Sequence, residues 1–173
     1  MLYMVECRFN DPARESAWND WYGGERLGEL LAVPGFLTSQ RFIALTRPGN
    51  YYLTVHSLES MMAFQTPEYK AMGGGAFKGF QGCITDWVRR FFNGVEVAPS
   101  ITPNDRLVIT DAPPEALKGC PVPFVWMDPI EEKDKSRVRG LAKIALSEAE
   151  DLLEQKRWPL DIYSPMINQR LST

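Results

Sequence analysis

The sequence predicts an α+β fold: a ferredoxin-like βαββαβ unit followed by a C-terminal α/β extension. Three observations carry this. From residue 2 to 95, stretches of strand-type alternation and of helical spacing follow in the order strand, helix, strand, strand, helix, strand. The two central strands are joined by TRPGN at 46–50, whose Pro and Gly suit a turn and so an antiparallel hairpin. Helices on one face of such a sheet leave the other face apolar and uncovered. A second copy of the sheet is the simplest cover, so a homodimer is expected.

The first strand is LYMVECRF (2–9), which is rich in β-formers. Asn10 or Asp11 then offers a cap, and Pro12 suits a first helical turn. A helix is expected from about Pro12 to Ala32, with Trp18, Tyr22, Arg26 and Leu30 on one stripe at i, i+4 spacing. Gly23-Gly24 weakens its middle, which points to a break or to the close approach of another backbone. Val33-Pro34-Gly35 ends it. FLTSQRFIAL (36–45) and YYLTVHSL (51–58) form the hairpin; Tyr52, Thr54 and His56 share one face of its second strand. A second helix starts near Ser60, is interrupted at Thr66-Pro67 and resumes briefly. GGGAFKGFQG (73–82) is a Gly-rich loop, and CITDWVRRFFNGV (83–95) supplies the fourth strand.

These boundaries divide the chain into a unit at 1–96 and a tail at 97–173. The tail alternates Pro-rich stretches with the strand candidates RLVIT and FVWM. A charged helix is expected from about Glu131 to Lys156, interrupted at Gly140, and then a last strand, DIYSPMI. FVWMDP, helix and DIYSPMINQRL echo the start of the first unit. The tail therefore reads either as a degenerate second half-repeat or as an extension that wraps the dimer or covers a pocket.

Composition narrows function. A net charge of −3 without a Lys/Arg block gives no footprint for nucleic acid. No apolar run reaches the roughly 18–20 residues of a membrane span, and the N-terminus lacks the pattern of a signal peptide, so a cytoplasmic protein with no membrane partner is expected. The three cysteines include no C-x-x-C pair and read as small buried side chains. With His56 the only histidine, metal sites built on two histidines are excluded; neither a metal nor a cofactor is expected. The glycines at 73–82 do not make a phosphate loop, since G-K-[ST] is missing.

WYGGERLGELLAVPGF followed by FLTSQRF, with support from YYLTVHSLES, FQTPEYKAM and DWVRRFF, resembles the dimeric α+β barrel superfamily, and within it the EthD-like group. The resemblance covers a little over half of the chain. It implies two facing sheets closed as a barrel with helices outside, and a pocket between a sheet and its own helices. Its members include isomerases, lyases, cofactor-free monooxygenases and proteins without known activity. Many EthD-like sequences carry a His where this one has Arg26. A guanidinium stays protonated and cannot take over a proton-carrying role.

Arg26 suits a carboxylate or enolate oxygen; the competing reading is a surface Arg paired with Glu29 or Glu25. His56 is the side chain whose ordinary pKa suits proton transfer, set against a structural His at a strand end. Tyr22 is a candidate donor to an oxyanion, set against a core aromatic. These three are the expected catalytic residues. Trp18, Gln40, Arg41, Tyr52, Thr54 and Trp87 are the expected substrate contacts. Gln40 and Arg41 point to opposite faces, so only one of them sees the pocket. The reading that follows is a cofactor-independent isomerase or lyase acting on a small aromatic or apolar organic acid, lactone or phenol in a catabolic or secondary pathway. The alternatives are a cofactor-free monooxygenase and a non-catalytic small-ligand-binding protein.

Overall fold

The computed structural model describes residues 1–73, 76–130 and 138–172. Strand β1 (Leu2–Phe9) leads into a helix that runs as α1 (Glu15–Trp21), a π-helical turn (Tyr22–Arg26) and α2 (Leu27–Leu31). The glycine pair neither breaks this helix nor marks a close approach: a Cβ at Gly23 would meet Ile167 at an ordinary 3.7 Å. The wider turn is absorbed where the helix is weakest, a deviation common at functional sites. Gly35 has the requirement that Gly23 lacks, since its φ is +91° and a Cβ there would lie 3.1 Å from Ala63.

Strands β2 (Phe36–Ala44) and β3 (Tyr51–Leu58) form the expected hairpin. The second helix is reduced to a 3₁₀ turn (Met61–Gln65) and the short α3 (Pro67–Ala71), with Pro67 at its first turn and Thr66 Oγ1 accepting from the Tyr69 N–H. A further 3₁₀ turn (Lys78–Cys83) precedes β4 (Ile84–Asn93). Gly74 and Gly75 of the glycine-rich stretch lie outside the described residues.

The tail differs most from expectation. It holds β5 (Asp105–Thr110), β6 (Val125–Pro129), β7 (Arg139–Ala145), α4 (Leu146–Gln155), β8 (Asp161–Pro165) and the two-residue β9 (Arg170–Leu171). The helix expected from Glu131 is confined to α4. Residues 131–137 lie outside the described residues, and 139–145 form a strand. Gly140 does not interrupt a helix. It sits in β7 where a Cβ would come within 2.9 Å of the Phe124 and Thr110 side chains.

All strand pairings are antiparallel, and they close on themselves in the order β2-β3-β1-β4-β6-β7-β5-β8-β2, with β9 also on β2. The first four strands lie as β4-β1-β3-β2 and the next four as β6-β7-β5-β8, which is the same ferredoxin-like order. Each set offers its fourth strand to the other's second. The expected barrel is present, and its second half comes from residues after 104 of the same chain. The inner apolar face of the first four strands is covered from within, so closing the sheet does not call for a homodimer.

The barrel interior packs Leu2, Met4, Leu53 and Val55 against Leu107, Ile109, Met127 and Tyr163. It also holds a chain of alternating charges. Glu6 accepts from Arg139 at 2.5 Å and from the Tyr51 hydroxyl at 2.9 Å, and Arg139 grips Asp111 through two bonds of 2.6 and 2.8 Å. Outside the barrel, α1, α2 and α3 cover the first four strands, and α4 covers the rest.

Candidate functional site

The site lies between the outer face of the first four strands and their helices. Odd residues of β1 and even residues of β3 face this layer, and the π-helical turn closes it. Tyr3, Val5, Tyr22, Arg26, Leu30, His56, Tyr69, Phe77 and Trp87 line a hollow with room for about 20 Å³ of solvent, roughly one water molecule. Arg26 and His56 therefore line the same space.

Arg26 is 4% exposed, and its guanidinium donates to Glu29 Oε2 at 3.2 Å and approaches Met72 Sδ at 3.1 Å. The side chain is not the surface Arg of the competing reading, although it does pair with Glu29 on its own helix. His56 is fully buried, with Tyr3 stacked on its ring at 5.2 Å and Phe36 edge-on at 5.6 Å. Its Nδ1 lies 2.7 Å from Ser39 Oγ, and its Nε2 has no partner among the described residues. Burial, and then the positive charge of Arg26, push its pKa down to about 3, so the ring is neutral near pH 7. Tyr22 is buried, which raises its pKa and keeps the hydroxyl protonated, with Thr54 as its hydrogen-bonding neighbour.

The remaining expected contacts divide. Trp87 is 44% exposed and meets Phe77 edge-on at 6.4 Å, at the mouth of the hollow. Thr54 lies beneath Tyr22. Trp18 is core, stacked on Phe9 at 4.7 Å. The Tyr52 hydroxyl is anchored to Glu15 and Asn19 at 2.6 and 3.2 Å. Gln40 points into the barrel side, where its amide bonds the Ile101 backbone in both directions. Arg41 faces the helices, but as a brace. Its guanidinium bonds Asn19 and lies 4.6 Å from Trp18 and 4.4 Å from Tyr22. Neither Gln40 nor Arg41 lines the hollow.

Sequence reasoning passed over Tyr3, Tyr69, Phe77 and Ser39. Tyr3 carries a signal, because it alternates with Val5 and Cys7 on the covered face of β1. Ser39 is placed by the hairpin register, in which it sits directly opposite His56.

The outer face of the second half offers no counterpart. β7 presents Ala142 and Ile144 to α4. A larger groove of about 370 Å³ runs beside α4, lined by Leu45, Leu152, Leu153, Trp158, Leu160 and Ile162. Its polar side chains are Thr46, which accepts from the Ile162 N–H, and Lys156, so it lacks the convergent polar groups of a reaction site. Among the described residues, no cluster of three or more His, Cys, Asp or Glu could hold a metal ion, and no helix is long and apolar enough to cross a membrane.

No protein-family model matches the chain, and no curated protein matches it either. Solved structures do. An "anthrone oxidase-like protein" superposes with a TM-score of 0.60 at 9% identity, over 99% of this chain and 92% of that one. A "putative monooxygenase" from Fusobacterium nucleatum subsp. nucleatum gives a TM-score of 0.58 at 10% identity, over 98% and 93%. At such identities the likeness establishes the fold. Neither of these proteins is named as an isomerase or lyase, so the expectation of that activity is withdrawn. The chain has the α+β barrel of these proteins over nearly its whole length.

Proposed function

We propose that this protein is a cofactor-free monooxygenase acting on a flat aromatic molecule with a phenolic or enolic oxygen. One observation carries the reading. Buried Arg26 and neutral His56, whose Nε2 has no partner among the described residues, line one small hollow with Tyr3, Tyr22, Tyr69, Phe77 and Trp87. Such a site suits an aromatic body ending in an anionic oxygen. The name of the anthrone oxidase-like neighbour supports the same chemistry.

In this reading the substrate ionises by losing its acidic proton to water at the mouth. The resulting enolate oxygen is held by Arg26 and His56. The carbanion then supplies the electrons itself: it reduces dioxygen and combines with it at carbon. The hydroperoxide so formed loses water to leave a carbonyl. For a CH₂ centre the balance is CH₂ + O₂ → C=O + H₂O, with no other reductant. The room present accommodates about one water, so a substrate enters by parting the Phe77 and Trp87 rings at the mouth.

Oxygen uptake by chelator-treated protein, with anthrone as the probe, tests the proposal. The expected result is uptake above the spontaneous rate, reduced about a hundredfold in Arg26→Gln, the scale of losing one oxyanion donor. Thermal stabilisation by anthrone without any oxygen uptake would instead mark a binding protein.

A further inference from the structure

We propose that Ser39 is a positioning residue that fixes His56 as its Nε2–H tautomer, so that the imidazole offers the hollow a hydrogen-bond donor rather than a base. The role given to that donor rests on the monooxygenase reading; the tautomer itself does not.

Ser39 is fully buried on β2, directly across the hairpin from His56. Among the described residues, its hydroxyl makes one hydrogen bond, to Nδ1 at 2.7 Å. A hydroxyl has a proton to give, and an imidazole nitrogen either gives or accepts. Were the ring proton on Nδ1, it would donate to Ser39 Oγ. The hydroxyl proton would then have no acceptor, and the Nε2 lone pair would have no donor. Were it on Nε2, the hydroxyl would donate to Nδ1, and only the Nε2–H would remain unmet. Buried donors are rarely left without partners, so the arrangement with one unmet group is favoured. His56 lines the hollow, so a ligand oxygen seated there can satisfy that group.

The surroundings agree. Arg26, a hydrogen-bond donor, lines the same hollow. Nε2 accepts no hydrogen bond from it. Burial and the Arg26 charge keep the ring neutral, so Nε2–H can act as a donor without carrying a full charge. Arg26 and His56 then both present donors, which selects ligands through an acceptor oxygen. Phenolates and enolates fit; amines and other cations do not. With no base in the hollow, the substrates are those acidic enough to ionise in water.

Because His56 is the only histidine, its ring nitrogens can be read without ambiguity in ¹⁵N-histidine-labelled protein by two-bond ¹H–¹⁵N correlation. The expected pattern is a protonated, pyrrole-type Nε2 and an unprotonated, pyridine-type Nδ1. Ser39→Ala should convert this to a mixture or to the Nδ1–H form, and Ser39→Thr, which keeps the hydroxyl, should restore it. A wild-type spectrum with the proton on Nδ1, or an unchanged pattern in Ser39→Ala, overturns the proposal. The wild-type measurement stands even if a variant fails to fold. An Nε2–H ring in a protein that takes up no oxygen would sink the monooxygenase reading while supporting the tautomer. An Nδ1–H ring in an oxygen-consuming protein would do the reverse.

Discussion

Replacing Glu6 by Gln should destabilise the protein by about 3 kcal/mol, because Glu6 ties β1 to β7 across the barrel interior. Glu6 is 2% exposed and Arg139 is 1% exposed. Besides its 2.5 Å bond to Arg139, Glu6 has Arg90 at 3.7 Å and Arg47 at 3.8 Å. Breaking a buried pair by removing one charge costs about 3–5 kcal/mol. The lower end applies, since Gln keeps the volume, can still accept from Tyr51, and leaves Arg139 with both bonds to Asp111. For a chain of this length each kcal/mol moves Tm by about 2–4 °C, so a fall of about 6–12 °C is expected by circular dichroism at pH 7. Acid should narrow the gap. Burial alone would raise the Glu6 pKa, but the charge and hydrogen bond of Arg139, with Arg90 and Tyr51, hold it below the usual carboxylate range. Its stabilisation is therefore complete above the unfolded-state value and disappears as pH falls through the lower folded value. A Gln variant within about 1 kcal/mol of wild type, or a double variant with Arg139→Met that is strictly additive, would refute the tie between the halves.

Three further outcomes follow from the same geometry. Arg26→Gln should lower kcat by about a hundredfold under conditions where calorimetry shows the variant to be folded, read by oxygen uptake. The His56 ring should not titrate between pH 8 and 5, since its folded pKa is depressed to about 3; a ¹⁵N shift that moves near pH 6.5 would contradict its burial. The same depression means that His56 contributes stability above pH about 6.5 that is lost on acidification, because the unfolded chain takes up a proton that the folded one refuses. Since the barrel closes within one chain, Tm should not change between about 1 and 100 µM protein, and a rise with concentration would show that a partner is needed for folding.

The first half of the fold was legible because its signals are local. Alternation placed β1, β2 and β3, and it put Tyr52, Thr54 and His56 on one face, where the structure has them. Alternation also separated Gln40 from Arg41, but which of them faces the helices is set by strand pairing rather than by local pattern: the hairpin register puts Arg41 opposite Thr54 and Gln40 opposite Val55. The tail was harder for the same reason. Gly140 breaks a helical pattern on paper, whereas in the barrel it makes room for the Phe124 ring. At the site, helical spacing alone pairs Arg26 with Glu29 but does not reveal that the pair's cation is buried beside the hollow. Ser39 had no signal of its own, because its meaning comes from the register that sets it against His56.

The central claim is that a carbanion held in this hollow reacts directly with oxygen. Turnover of anthrone by metal-free protein under ¹⁸O₂ tests it most directly. The account expects one ¹⁸O atom in the new carbonyl, one in water, and no product under nitrogen. Product formed without oxygen, or carrying oxygen only from water, would contradict it.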